Sequence, residues 1–186
     1  MNDNWTLQNK TALVTGGTKG IGLAVVREFL SLGAKIFFVS RDKNESELLK
    51  KELKKNGGDV ASIALDLSKS NDRKALVEWI GKECNKLDIL VNNVGTNIRK
   101  KAVDYSDEDY RHIFETNLNS GFELCIKLYP LLKAAGKASI INVSSVAGLG
   151  HLKTGVVYGM TKAAIIQMTS NLACEWAGDG IRVNAV

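Results

Sequence analysis

Tyr158, Lys162 and Ser145 are spaced so that they could act together in proton transfer. Tyr158 and Lys162 stand four residues apart in a segment with helical periodicity, so their side chains would share one face. An ammonium beside a phenol favours the phenolate form, which lets the phenol exchange a proton near neutral pH. Ser145 precedes this pair and follows an apolar run, where its hydroxyl could bind a substrate oxygen. The pair alone also occurs on ordinary exposed helices, so its weight depends on the motifs that precede it.

A glycine-rich loop, TGGTKGIG at residues 15–22, lies between the first apolar run and the first helical segment. Glycines allow a tight turn and let the backbone approach a pyrophosphate, while a helix N-terminus offers unpaired N–H groups. The alternative is a plain strand-to-helix turn, which the strand-loop-helix context disfavours. We therefore predict a dinucleotide-phosphate site formed by Gly16, Thr18, Lys19, Gly20, Ile21 and Gly22.

The end of the second apolar run bears on which nicotinamide dinucleotide would bind. NAD-selective sites place a carboxylate there for the ribose hydroxyls, but this chain has Ser40 followed by Arg41. A guanidinium matches a phosphate in charge and geometry, and Lys19 could reach the same phosphate. Both cations could instead be plain surface residues, and the nearby Asp42 would suit NAD(H). The pattern favours NADP(H) over NAD(H).

These motifs, taken together and in order, resemble the short-chain dehydrogenase/reductase family. The glycines follow its Gly-xxx-Gly-x-Gly spacing, and Asn-Asn-Val-Gly at residues 92–95 resembles its Asn-Asn-Ala-Gly segment, with Val94 replacing alanine. Three further segments are similar to the tropinone-reductase-like subgroup of that family: Trp5–Leu7, Thr11–Gly17 and Leu172–Ala177.

The resemblance implies a role for each residue of the reactive group. Tyr158 would donate the proton, Ser145 would stabilise the substrate oxygen, and Lys162 would support Tyr158 and bind the nicotinamide ribose. Asn117 would hold a water linked to Lys162, and the chemistry would need no metal. The implied catalytic set is Asn117, Ser145, Tyr158 and Lys162.

The resemblance also adds cofactor residues beyond the glycine loop. Asp66 ends a predicted strand where the family contacts adenine, and Leu67 follows it. Asn93 is expected to be mainly structural, since in this motif its side chain ties neighbouring strands together. Gly95 completes the segment, and Tyr158 and Lys162 are expected to contact the cofactor as well.

Alternating short apolar runs and longer amphipathic segments predict the elements that must position these residues. Strands are expected at 11–15, 35–40, 60–65, 89–92, 138–143 and 181–186. Helices are expected at 21–32, 45–55, 71–84, 107–133 and 157–177. The pattern predicts an α/β, doubly wound Rossmann-type parallel sheet with helices on both faces. The expected strand order is 3-2-1-4-5-6, with the family's seventh strand missing, and Pro130 is expected to kink or end its helix.

A chain of 186 residues fits one domain with a single core. We therefore expect a single dinucleotide-binding and catalytic domain over residues 1–186. The sequence stops at Val186 within a predicted strand, before the substrate loop and last strand that the family usually has. The domain is accordingly expected to be incomplete at its C-terminus.

Composition and charge argue against several other classes. No apolar run is long enough to span a bilayer, and residues 1–5 lack the basic and apolar parts of a signal peptide, which favours a cytoplasmic protein. The net charge of +5 comes from dispersed residues without a nucleic-acid-binding motif, so no nucleic-acid partner is expected. The cysteines are far apart, which argues against disulfides and a zinc site. Each is expected to be a small buried residue of a helix: Cys84, Cys125 and Cys174.

The whole pattern predicts an NADP(H)-dependent oxidoreductase that reduces a small-molecule ketone to an alcohol, or catalyses the reverse oxidation. The alternative is a truncated, catalytically inactive nucleotide-binding or oligomerisation partner. Intact Ser145, Tyr158 and Lys162 argue against that alternative. The resemblance also implies a homodimer or homotetramer that forms through the two long helices.

Overall fold

The chain folds around one parallel β-sheet. The computed structural model describes residues 5–186, and in this part of the chain six strands pair in the order β3-β2-β1-β4-β5-β6. Their bounds are β1 (Thr11–Thr15), β2 (Lys35–Ser40), β3 (Val60–Ala64), β4 (Ile89–Asn92), β5 (Ala138–Asn142) and β6 (Ile181–Ala185). The predicted order is confirmed. It reverses between β1 and β4, which leaves a crevice at the carboxyl ends of these two strands. Residues 1–4, which belong to the segment used in the signal-peptide argument, lie outside the described residues.

Helices connect successive strands, as the alternating pattern predicts. They are α1 (Gly20–Ser31), α2 (Lys43–Lys55), α3 (Ser70–Glu83), α4 (Asp107–Phe114), α5 (Ser120–Ala134) and α6 (Val156–Trp176). The segment predicted as one long helix over 107–133 is helical throughout, but a π-helical turn, Glu115–Asn119, interrupts it and separates α4 from α5. Pro130 does not end its helix, since α5 continues through it to Ala134.

Both faces of the sheet are covered by helices, which confirms the doubly wound architecture. Side chains of a strand alternate between the two faces. On one face Leu13 and Phe37 pack with residues of α3, α5 and α6. On the other, Val14 and Ile36 pack with residues of α1 and α2. The strands are therefore continuous apolar runs in the sequence because each face is buried.

The cysteines differ from one another in burial. Cys125 is fully buried in α5, and Cys84, just beyond the end of α3, is partly buried. Cys174 is exposed on α6, so the prediction of a buried position was wrong for it. Its neighbours Leu172 and Trp176 occupy the face of α6 that packs on the sheet. Over residues 5–186, the helices are too short or too polar to cross a membrane.

Candidate active site

The glycine loop between β1 and α1 leaves little room for side chains at Gly16, Gly17 and Gly22, whereas a Cβ at Gly20 would enter open space. Gly16 and Gly20 have φ values of +69° and +53°, which favour glycine. A Cβ at Gly22 would overlap the carbonyl oxygen of Gly16 and would lie 2.6 Å from Nδ2 of Asn93. Lys19, at the N-cap of α1, makes no side-chain capping bond, and the first turn has no acidic residue. The loop and helix terminus therefore suit the phosphates of a dinucleotide.

Asn93 holds this loop against the end of β4. Its Nδ2 donates to the carbonyl oxygens of Thr15, at 2.9 Å, and Gly16, at 3.2 Å. In return, Oγ1 of Thr15 accepts from the backbone N–H groups of Asn93 and Val94, at 2.9 and 3.1 Å. These bonds agree with the structural role expected for Asn93, and they set the shape of the crevice beside β1.

A cleft of about 560 Å³ runs along the carboxyl ends of the strands on both sides of this crevice. Most of the predicted cofactor residues line it: Gly16, Thr18, Lys19, Ser40, Arg41, Asp66, Leu67, Asn93 and Gly95. Gly20, Ile21 and Gly22 form the first turn of α1 beside the loop. Asp66 accepts from the backbone N–H and the hydroxyl of Ser68, at 3.1 and 2.9 Å.

Other residues line the cleft that were not among the predicted cofactor residues, although Asp42 and Val94 had been noted beside them: Val39, Asp42, Glu45, Leu65, Val94, Thr96 and Thr116. Several of them could have been found, because they directly follow or flank strand ends. Thr116 had no such signal, since it belongs to the π turn. Its Oγ1 is buried and has no hydrogen-bond partner among the described residues.

The predicted preference for NADP(H) rests on two cations, Lys19 and Arg41, and only Lys19 is paired with a carboxylate in the part of the chain that the structure describes. Nζ of Lys19 lies 2.8 Å from Oε1 of Glu45, and this hydrogen bond raises the pKa of Lys19. By contrast, none of the described carboxylates is close enough to Arg41 for a salt bridge. Arg41 therefore offers the freer positive charge at this end of the cleft, while Glu45 competes for Lys19.

Ser40 and Asp42, which flank Arg41 in the sequence, form hydrogen bonds with residues at the start of α2. Asp42 caps the helix, because its carboxylate accepts from the backbone N–H of Glu45 at 2.9 Å. The hydroxyls of Ser40 and Ser46 share a hydrogen bond of 2.7 Å. Asp42 lines the cleft, but its position is also explained by its role as the N-cap of α2, without any contact with a ribose.

Tyr158 and Lys162 lie one turn apart in α6, as their spacing predicts. Nζ of Lys162 is 5.6 Å from the centre of the Tyr158 ring and donates to the carbonyl oxygen of Val143 at 2.7 Å. Lys162 is only 4% exposed, and burial lowers its pKa to about 8. The pair therefore combines a phenol with a desolvated amine just beyond the end of β5.

Asn117 lies in the π turn and connects this turn by hydrogen bonds to Thr96 in the wall of the cleft. Its Oδ1 accepts from the N–H of Thr96 at 2.7 Å, and its Nδ2 donates to the carbonyl oxygen of Thr96 at 2.9 Å. Nδ2 also lies 3.2 Å from Oγ1 of Thr161. A Cβ at Gly95 would be 3.6 Å from both Oδ1 of Asn117 and Nζ of Lys162. The cleft wall at Gly95 and Thr96 is thus in contact with the reactive group.

Ser145 follows β5 and begins a short 3₁₀ turn, Val146–Gly148. Its Oγ accepts from the N–H of Ala147 at 3.1 Å. The turn packs on α6, since a Cβ at Gly159 would lie 3.2 Å from the carbonyl oxygen of Ala147. The hydroxyl of Ser144 instead donates to the carbonyl oxygen of Lys162 at 3.1 Å. Ser145 therefore caps the 3₁₀ turn that packs on α6 next to Tyr158. Ser144 is instead hydrogen-bonded to the backbone of α6.

The lowered pKa of Lys162 predicts a pH-dependent stability. A lysine of an unfolded chain titrates near about 10.4, so below about pH 8 the folded state carries the full cost of the buried charge. That cost fades as the pH rises toward the unfolded value. From about pH 7 to pH 10, the unfolding free energy of the wild type should therefore rise by about 2 to 3 kcal/mol relative to Lys162→Met. Urea unfolding at several pH values measures this difference.

The exposed Lys74, substituted by methionine, is the control and should give a nearly constant difference. Parallel pH profiles of the wild type and Lys162→Met would show that Lys162 is not desolvated in the folded state.

A dinucleotide cleft whose wall contacts a buried lysine near a tyrosine is the arrangement of an oxidoreductase that uses a nicotinamide cofactor. Over residues 5–186, no three His, Cys, Asp or Glu side chains are grouped so that they could hold a metal ion. The chain belongs to the short-chain dehydrogenase family, whose model matches residues 10–186. It is therefore an oxidoreductase that uses a nicotinamide dinucleotide and acts on small molecules.

Curated relatives and solved structures agree with this membership. The chain is 50% identical to a tropinone reductase homolog from Arabidopsis thaliana over 183 residues, covering 98% of this chain and 69% of that protein. It is 44% identical to a tropinone reductase homolog from Datura stramonium, with 98% and 68% covered. The structure of L-sorbose reductase from Gluconobacter frateurii, complexed with NADPH and L-sorbose, superposes with a TM-score of 0.93 at 31% identity. The match covers 97% of this chain and 69% of that one.

Proposed function

We propose that this protein reduces a ketone with NADPH and that Tyr158 is the general acid. One observation supports the proposal most strongly: the wall of the cleft is in contact with two residues of the proposed catalytic set, Lys162 and Asn117. Gly95 and Thr96 line the cleft, and they also border Lys162 and Asn117. The catalytic set proposed is Asn117, Ser145, Tyr158 and Lys162.

Each residue of this set has a distinct task. When bound, the nicotinamide supplies a hydride to the carbonyl carbon. Tyr158 donates its phenolic proton to the carbonyl oxygen as negative charge develops there, and the Ser145 hydroxyl donates a hydrogen bond to the same atom. The ammonium of Lys162 favours the phenolate that remains, and it also binds the nicotinamide ribose. Asn117 holds the backbone of Thr96 at the wall of the cleft.

Steady-state assays with a panel of ketones test this function. The panel should include a bicyclic amino ketone such as tropinone and a keto sugar such as L-sorbose, since the similar proteins bear these names. NADPH oxidation that depends on one class of ketone supports the proposal. Tight NADPH binding without turnover on any ketone would instead favour the inactive nucleotide-binding partner.

The preference for NADP(H) is proposed from Arg41. Substituting Arg41 by alanine should weaken NADPH binding about tenfold or more and leave NADH binding nearly unchanged, because one charge-assisted contact to the additional phosphate is lost. Fluorescence titration with both cofactors measures the two dissociation constants.

Arg27→Ala is the matched control for this cofactor experiment. Arg27 is also an exposed arginine near α2, where it pairs with Glu52 at 2.8 Å, but it does not line the cleft. It should leave both dissociation constants unchanged. An equal loss for NADPH and NADH in Arg41→Ala would show that Arg41 does not read the phosphate.

Self-association is proposed to occur through α5 and α6. Large apolar side chains are exposed on both helices, among them Phe122 and Ile126 on α5 and Val156 and Met160 on α6. Such residues suit a homodimer or homotetramer contact. We also propose a cytoplasmic location and a single dinucleotide-binding and catalytic domain over residues 1–186; the name of one relative contains the word chloroplastic.

A further inference from the structure

Arg73 is a buried cation that joins three parts of the chain. It lies in α3 with 2% of its surface exposed. Its Nη1 donates to the carbonyl oxygen of Leu67 at 2.9 Å. Its Nη2 donates to Glu115 at 2.9 Å and to Glu123 at 2.7 Å. Burying an ion is costly unless its partners are well placed, and the chemistry proposed above does not account for this one.

One of these partners lines the cofactor cleft, and another directly precedes a residue that lines it. Leu67 lines the cleft directly after Asp66. Glu115 begins the π turn, and the next residue, Thr116, lines the same cleft. Asn117 follows Thr116 and holds Thr96. One guanidinium therefore connects the wall at the end of β3 with the turn that carries Asn117.

The π turn depends on contacts outside its own helix. Hydrogen bonding from i to i+5 is rare and is found mostly as single turns at functional sites. On one side the turn is fixed by the paired bonds of Asn117 to Thr96. On the other side Glu115 accepts from Arg73 and, at 2.7 Å, from Nδ2 of Asn119. Without the contact of Glu115 with Arg73, the side-chain hydrogen bonds that tie the turn to other elements of the described chain would be those of Asn117 to Thr96 and Thr161.

We propose that Arg73 is a positioning residue that, through Glu115, sets the π turn against the Leu67 wall of the cofactor cleft. Thr116 and Asn117 acquire their places from this contact, so it affects both cofactor binding and turnover. The proposal rests on the function proposed for the cleft. Neither Glu115 nor Glu123 lines the cleft itself, but Glu115 directly precedes the lining residue Thr116 in the π turn. Glu123 shares Nη2 of Arg73 but lies in α5 and has no lining residue next to it, so its contact affects stability alone.

Glu115→Ala and Glu123→Ala form a matched pair for the test. Each carboxylate accepts from Arg73 and from one other side chain, Asn119 or Lys127. Three measurements compare the variants with the wild type: urea unfolding, NADPH titration by fluorescence, and amide hydrogen exchange of residues 115–120 followed by mass spectrometry. Both variants should unfold at lower urea. Only Glu115→Ala should weaken NADPH binding, by about fivefold or more, and speed exchange in the π turn.

Steady-state kinetics of the two variants provide a second comparison, and a merely structural role of Arg73 would not produce a difference between them. Glu115→Ala should lower kcat for the ketone more than it changes KM, whereas Glu123→Ala should keep both. If Glu115→Ala matches Glu123→Ala in NADPH affinity and in exchange, the proposal is overturned, whatever the stabilities. If Glu115→Ala does not fold, Glu115→Gln is compared with Glu123→Gln by the same criteria. A wild type that binds NADPH but reduces no ketone contradicts the proposed reaction alone, since titration and exchange still decide about Arg73.

Discussion

Tyr158→Phe is expected to bind NADPH as the wild type does and to lose a hundredfold to ten-thousandfold in kcat, the usual contribution of a general acid. The substitution removes only the phenolic oxygen, so the ring that lies 5.6 Å from Nζ of Lys162 keeps its packing. Without that oxygen the alkoxide that forms in ketone reduction has no proton donor. Parallel measurements of kcat with a ketone and of the NADPH dissociation constant separate the two effects.

Tyr110→Phe is the control for the loss of a phenol in general. Tyr110 is partly exposed on α4 and stacks against Phe114, so its ring has a packing role outside the proposed site. Its substitution should leave kcat within about twofold of the wild type. A Tyr158→Phe variant that retains more than a tenth of wild-type kcat would contradict the role given to Tyr158.

Gly22→Ala is expected to destroy the phosphate loop. The added Cβ would overlap the Gly16 carbonyl oxygen and crowd Nδ2 of Asn93, and the backbone cannot give way cheaply at such a contact. Overpacking of this kind costs about 1 to 3 kcal/mol of stability or more. The shift in the loop should also weaken NADPH binding about a hundredfold, which corresponds to about 2.7 kcal/mol. Urea unfolding and NADPH titration measure the two losses.

Gly81→Ala provides a matched control, because Gly81 is also a helical glycine and its Cβ would enter open space. Alanine there should increase stability by up to about 1 kcal/mol and leave NADPH binding unchanged. Equal behaviour of the two variants would mean that the loop is not packed as described.

Much of the fold was predictable because local patterns determine it. The apolar runs that became β1 and β2 are buried on both faces, and the glycines of residues 16–22 occupy a turn that needs them. The break between α4 and α5 was not predictable in this way. A π turn needs one extra residue in a helix, and here it is held by Thr96 and Arg73, which are distant in sequence. No short segment around Asn117 carries that information.

Those parts of the candidate site that belong to sequence motifs were predictable. Tyr158, Lys162 and the glycine loop follow from spacing and from resemblance to the family. The pairing of Lys19 with Glu45 could not be foreseen, because it depends on how α2 packs beside α1. The same holds for Arg73, which in sequence is one more charged residue of a polar helix. Both cases involve charges whose partners are supplied by other elements.

Transfer of deuterium from NADPH tests the central claim most directly. The protein is incubated with NADPH in which both hydrogens at the nicotinamide C4 position are replaced by deuterium, and with the best ketone of the panel. Mass spectrometry of the product alcohol then locates the label. The wild type should form alcohol with one deuterium on the former carbonyl carbon, and Tyr158→Phe should form almost no alcohol in the same time. Alcohol without the label, or equal rates of formation of labelled alcohol by the two proteins, would contradict the proposed reaction.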